Sequence, residues 1–170
     1  GPLLENILEA KDSKGAQIRF SIESNLDIRP EGYHLEISAH QILITAKDRA
    51  GLLYGFSTLE QLMEDAKDQN VALPICKIKD YPLLAFRAIH LDIKHHREKI
   101  SYYYDLMDRL KKYKINGIIL EFEDKIKYAK HPLIGTQEAL SISEWKKLSE
   151  YAHARNIQIS PLVQGLGHAS

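Results

Sequence analysis

The chain has 170 residues, 44% of them apolar and 27% charged, with 23 Lys and Arg balanced by 23 Asp and Glu. That suits a soluble globular protein of one ordinary domain, or of one small domain and part of another. The zero net charge and the lack of a basic stripe exclude a dedicated nucleic-acid binder, and no stretch approaches the roughly 20 apolar residues that cross a bilayer.

Cys76 is the single cysteine, so neither an internal disulfide nor a cysteine-built metal site is possible. A lone cysteine fits a reducing compartment and is compatible with a periplasmic one. The compartment stays open: soluble, and either cytoplasmic or periplasmic or secreted with its targeting segment removed. No signal peptide is visible, and Gly1-Pro2 resembles the scar left by a tag-removing protease.

Residues 16–22 alternate apolar and polar and predict a half-buried strand. Residues 33–37 and 41–45 do the same, joined by a connection short enough for a hairpin. Asp48 is a candidate N-cap for a helix with Leu52, Leu53, Phe56, Leu59 and Met63 on one side. Residues 71–78 read as a short strand, marked as an edge by Pro74. Asp80-Tyr-Pro82 is the boundary candidate, since Pro82 biases Tyr81 away from helix and the rhythm changes after it. This predicts a small α+β domain over 1–82, an antiparallel sheet with a helix, and a second region over 83–170.

From Phe86 onward strands alternate with helices. Residues 86–93 read as a strand, and Tyr103, Leu106, Met107 and Leu110 fall at helical spacing. Lys111, Lys112 and Lys114 close that pattern, where they suit the negative end of a helix dipole. Tyr102, Tyr103 and Tyr104 are read as helix packing rather than a sugar platform. Residues 117–122 form an apolar strand. Ser141 and Glu144 form a capping box that opens a helix with Trp145, Leu148 and Ala152, and residues 157–163 form a third strand. Such alternation implies parallel pairing, in an α/β barrel or a doubly wound sheet.

Polar residues collect after each strand: Asp92, Lys94 and His95, then Glu121, Glu123 and Asp124, then Gln164 and His168. In both fold types functional groups gather at the C-terminal ends of parallel strands. No strand is followed by a glycine-rich turn leading into a helix, which counts against a nucleotide site and favours a barrel. A whole barrel needs eight such units and about 250 residues, so three strands make the beginning of one, with open edges prone to self-association. By alternation Glu121 and Glu123 point the same way. Close carboxylates must be paired or hydrogen-bonded, and Lys94 or a sugar hydroxyl could do this. Asp92 is either a hydroxyl ligand or a salt-bridge partner of Lys94, and Gln164 either offers its amide to a hydroxyl or satisfies loop backbone. A metal site from Asp92, His95, His96, Glu121, Asp124 and His168 is disfavoured, because adjacent His95 and His96 point apart on a regular strand. No cofactor is expected.

Several segments, in order, resemble glycoside hydrolase family 20. Residues 31–37 resemble its Glu-Gly-Tyr strand and residues 46–62 the helix that follows. Residues 74–82 resemble its Ile-x-Asp-Tyr-Pro approach to the barrel, and residues 87–92 the first barrel strand. Lys114-Ile-Asn116 precedes the second strand, as in the family. The likeness is greatest to the hexosaminidase D type, through Leu120-Glu-Phe-Glu-Asp124, Tyr128 and the run from Pro161 to His168. Other members carry a His-x-His-x-x-Asp-Asp version of strand two. Here its histidines become Ile119 and Glu121 and its second aspartate Lys125, and the sugar-gripping arginine after strand one falls on His95. These departures imply a different choice between GlcNAc and GalNAc, without saying which.

The resemblance implies a small N-terminal α+β domain followed by the first three βα units of a TIM (β/α)8 barrel. It implies an exo-β-N-acetylhexosaminidase acting on glycans or glycoconjugates with terminal N-acetylhexosamine. The substrate's own acetamido oxygen attacks the anomeric carbon, supported by an Asp-Glu pair after the fourth barrel strand. That pair is expected beyond Ser170, so the 170 residues are expected to be inactive alone. By position Asp124 and His168 match the aspartate and histidine that the family places behind the general acid, where they would tune and reload its proton. Asp92, Lys94, His95, Glu121 and Gln164 are the candidate substrate-binding residues. A non-catalytic carbohydrate-binding or scaffold protein with the same fold is the alternative.

Overall fold

The computed structural model describes residues 18–94 and 96–165, and these divide into two compact units, one ending at Ala85 and one beginning at Phe86. Ala16, Gln17, His95 and His168 lie outside the described residues.

The first unit is a small α+β domain. Strands β1 (Ile18–Ile22), β2 (Tyr33–Ile37), β3 (Ile42–Ala46) and β4 (Cys76–Asp80) form one sheet in the order β1-β3-β2-β4, covered by helix α1 (Arg49–Asp68). The β2–β3 hairpin is antiparallel, with Ile37 opposite Ile42. Ser38 closes it, its hydroxyl accepting from Gln41 N and donating to Gln41 O. The sheet is mixed, not antiparallel throughout, because β1 runs parallel to β3. After β1 the chain crosses through residues 23–32 and places β2 on the far side of β3. Lys47 pins that crossing, with its ammonium donating to Ile28 O at 2.7 Å and Leu26 O at 3.3 Å. Strand β4 begins at Cys76, later than the apolar run suggests, since Pro74 offers no N–H to a ladder. It is an edge strand, paired with β2 alone among the described strands.

Asp48 caps α1, accepting from Gly51 N through Oδ1 and from Glu31 N through Oδ2, both at 2.8 Å. Glu31 has a left-handed backbone (φ 63°), so one side chain fixes both the turn before β2 and the helix start. The buried face of α1 is rotated from the apolar stripe in the sequence. Gly51, Tyr54, Gly55 and Leu59 are buried, while Leu52, Phe56 and Met63 pack at the margin. Glycine lets the helix lie close to the sheet. A Cβ on Gly51 would overlap the carbonyl oxygen of Gly32, and one on Gly55 would sit 2.6 Å from Ile44 Cγ2.

The second unit is a parallel three-stranded sheet of β5 (Ala88–Asp92), β6 (Gly117–Glu121) and β7 (Gln158–Leu162) in that order. Helices α2 (Ile100–Lys112) and α3 (Ile142–Ala154) cover one face. Their core contains Ile93, Tyr103, Met107, Leu110, Ile118, Leu120, Leu148 and Ile157, each side chain contributing about 1.5–3 kcal/mol by burial. The expected capping box is present: Ser141 Oγ accepts from Glu144 N, and the Glu144 carboxylate accepts from Ser141 N at 2.8 Å. The helices are clasped together by Asp108, which takes Tyr151 Oη at 2.9 Å and Arg155 Nε at 2.5 Å. Tyr103 is buried and Tyr104 packs edge-on against Tyr151, so these two tyrosines are packing residues. At the other end of the sheet, Asn116 Oδ1 accepts from Arg87 N at 2.8 Å and ties the start of β5 to that of β6.

The sheet alternates as its period requires. Ile89, Leu91, Ile118, Leu120 and Ile159 face the helices, which leaves His90, Asp92, Ile119, Glu121 and Ser160 on the opposite face.

Gly51→Ala should destabilise the protein by about 1–3 kcal/mol, because the obstructing atom is backbone and cannot rotate away, despite alanine's better helix propensity. Gly165→Ala, with no atom of the described residues within 4 Å of the added carbon, should be near neutral. Urea denaturation of the two variants checks the contrast.

Candidate functional site

Strands β5 and β6 end side by side, with Asp92 the register partner of Glu121. Glu121 sits on the central strand with only 3% of its side chain exposed, so its charge must be met by donors. Lys94 Nζ donates to Glu121 Oε1 at 2.8 Å, and Gln164 Nε2 donates to the same oxygen at 2.8 Å. His90 Nε2 lies 3.0 Å from Oε2. Lys94 also reaches Asp92 Oδ2 at 3.1 Å, while its backbone N–H donates to Asp92 Oδ1 at 3.0 Å. All three strands therefore contribute to one polar cluster at their C-terminal ends.

The electrostatics follow from that geometry. The bonds from Lys94, then from Gln164, outweigh desolvation and hold the Glu121 carboxyl below the usual glutamate range. Glu121, then Asp92, push the Lys94 ammonium above the usual lysine range, against a smaller opposing effect of burial. Glu121 is thus a fixed anion and Lys94 a fixed cation. Neither is poised to exchange a proton near neutral pH.

Of the predicted residues, Asp92, Lys94, Glu121 and Gln164 come together. Asp124 is engaged by a different lysine: Lys125, itself 9% exposed, donates to Asp124 Oδ1 at 2.7 Å. Asp124 stands in the turn leaving β6, where its carbonyl accepts from Thr136 N at 3.0 Å. That exit segment is fastened to α3 by Trp145 Nε1 donating to Lys125 O at 3.3 Å. The shared direction expected for Glu121 and Glu123 rested on strand alternation. The strand ends at Glu121, and Glu123 has a φ of 40°, so alternation no longer fixes its side. His95 and His168 lie outside the described residues. Among the described residues, no three His, Cys, Asp or Glu converge as a metal site needs.

Known proteins resemble the chain in sequence and in fold. Residues 4–81 match the family described as Glycosyl hydrolase family 20, domain 2. Over 161 residues the chain is 27% identical to β-hexosaminidase 1 of Coccidioides posadasii, covering 86% of this chain and 27% of that protein. It is 34% identical over 83 residues to hexosaminidase D of Bos taurus, covering 48% of this chain and 24% of the bovine protein. The crystal structure of a β-N-acetylhexosaminidase from Bacteroides fragilis superposes with a TM-score of 0.81 at 22% identity, over 94% of this chain and 36% of that one. A mutant β-hexosaminidase of Streptomyces plicatus, solved with its product GlcNAc, superposes with a TM-score of 0.75 at 26% identity, over 87% of this chain and 34% of its own.

Over residues 4–81 the chain matches glycoside hydrolase family 20. It spans about a quarter to a third of the length of these relatives.

His90 is the member of the cluster that sequence reasoning missed. Its signal was available. In a strand of period two it shares a face with Asp92, opposite the apolar Ile89 and Leu91.

The linked stability has a defined sign. Glu121 is depressed in the folded state, so its contribution is present above the ordinary glutamate value of 4.5 and is lost as the pH falls below it through the folded value. Glu121→Gln should therefore be less stable than wild type at pH 7 and should show a flatter loss of stability below about pH 4.5. Urea midpoints taken from pH 7 to pH 3 test this. Parallel acid slopes for the two proteins would contradict it.

Proposed function

We propose that this chain is the N-terminal part of an exo-β-N-acetylhexosaminidase that removes terminal GlcNAc or GalNAc by substrate-assisted, retaining hydrolysis. The observation that carries the proposal is the joining of Asp92, Lys94, Glu121 and Gln164 at the C-terminal ends of three adjacent parallel strands, in a chain whose family relatives are named β-hexosaminidases. Strand C-termini are where barrel enzymes build their sites. The helix-free face of the sheet would be the barrel interior, and residues 83–170 the first three βα units. Strands β5 and β7 each pair with β6 alone among the described strands, so further barrel strands or a second copy of the chain would cover those edges.

In this reaction the acetamido oxygen of the bound sugar attacks the anomeric carbon and the leaving oxygen takes a proton. The oxazolinium intermediate is then opened by water. One carboxylate orients the acetamido group and one carboxylic acid supplies the proton. The 170 residues contain no Asp-Glu dipeptide, and the proposal places the catalytic pair outside them. Glu121 is unsuited to the acid role, since a general acid needs a raised pKa and Glu121 is held low. Asp92 and Lys94, with 39% and 17% of their side chains exposed, are suited to a sugar hydroxyl, as acceptor and donor in turn. His95 and Gln164 would complete that hydroxyl-binding set. Asp124 and His168 would support the general acid, with one Asp124 oxygen held by Lys125 and the other taking an imidazole N–H.

Nitrophenyl N-acetylglucosaminide and N-acetylgalactosaminide provide the assay. The 170-residue chain should give no turnover, and the protein carried through its Asp-Glu pair should hydrolyse at least one of the two. In that protein Asp124→Asn should lower kcat by up to about 100-fold, the lower end of what positioned proton transfer contributes. Turnover by the 170 residues alone would overturn the assignment of the catalytic pair.

A further inference from the structure

We propose that His90 is a positioning residue, which holds the Glu121 carboxylate from one pleat below and through it fixes the direction in which Gln164 presents its carboxamide. The role assigned to Gln164 rests on the proposed function, whereas the bonding pattern itself is a property of the chain.

The register makes the contact possible. His90 pairs across the sheet with Ile119, so Glu121 is its diagonal neighbour two residues further along β6 and on the same face. Side chains as long as these span such a diagonal. The observed separation is 3.0 Å from His90 Nε2 to Glu121 Oε2.

Charge decides the roles. Glu121 is held in its ionised form by Lys94 and can only accept. Every group bonded to it must therefore present a hydrogen. The His90 ring must carry its proton on Nε2, and Gln164 must turn its NH2 toward Glu121. Gln164 is then left with its carbonyl oxygen directed elsewhere, as an acceptor for a hydroxyl donor. The carboxylate offers about four acceptor positions. Lys94 and Gln164 both use Oε1, so His90 is the group that keeps the carboxylate from rotating about its Cγ–Cδ bond. Without that third contact both remaining donors sit on Oε1, and Oε2 loses the donor that holds it among the described residues.

Side-chain NMR on the 15N,13C-labelled 170-residue chain tests the assignment. At alkaline pH, with imidazoles neutral, long-range proton–nitrogen correlations should show His90 as the Nε2–H tautomer. The Gln164 carboxamide protons should be well dispersed. His90→Met should bring them toward the values of a free carboxamide, and His90→Gln, which returns an N–H at the same reach, should restore the dispersion. A wild-type Nδ1–H tautomer, or Gln164 signals unchanged in His90→Met, would overturn the proposal. The tautomer is read on wild-type protein, so the test survives a variant that fails to fold. Failure of the hydrolysis assay in the longer protein would remove the proposed function and leave these signals as they are, which keeps the two failures separate.

Discussion

Taking a carboxylate out of water obliges the fold to supply donors, and Glu121 sets that obligation at the middle of the three-stranded sheet. With 3% of its side chain exposed it cannot rely on solvent. Lys94, Gln164 and His90 answer from three different places along the chain. The ends of β5, β6 and β7 are thereby linked through side chains as well as through the ladder. Lys94 carries the largest share, because it also binds Asp92 and so joins two carboxylates that would otherwise repel each other across one register pair.

That arrangement separates two acidic residues only three positions apart. Glu121 is enclosed by donors and locked as an anion. Asp124, past the strand end, is 37% exposed and held by one lysine. Glu121 is therefore a structural anion at the rim of the sheet, and Asp124 is the one with room for a partner. The lysines make the difference. Lys94 reaches across from β5, while Lys125 neighbours Asp124 in sequence and is itself buried against the segment that leaves β6.

Much of this was legible in the sequence where a local rule acts on its own. Asp48 and the Ser141–Glu144 pair cap helices through partners three residues on, Gly51 and Glu144, and both helices start where those residues require. The alternation of strand and helix after Phe86 carries the parallel pairing. Other features depend on contacts far along the chain. The face α1 buries is set by Gly51 and Gly55 against Gly32 and Ile44, and hydrophobic periodicity gives glycine no weight. The parallel pairing of β1 goes with a crossing before β2 that Lys47 holds from 19 residues away. Within the site, Asp92, Lys94, Glu121 and Gln164 were legible as strand-end polar residues, but their mutual bonding was not. His90 was passed over because it lies inside a strand, where a polar residue reads as a solvated face until the neighbouring strand is known.

A consequence for chemistry follows from the saturation of Glu121. A group that protonates a leaving oxygen must hold a proton near neutral pH and release it in the transition state. Every bond Glu121 makes stabilises the opposite form. Strengthening the cluster makes Glu121 a better scaffold and a worse acid, so the two roles cannot be combined in one residue. Under the proposed function, a site built on these strands would draw its acid from another carboxyl group, and the cluster at β5 and β6 would keep the strand ends in register.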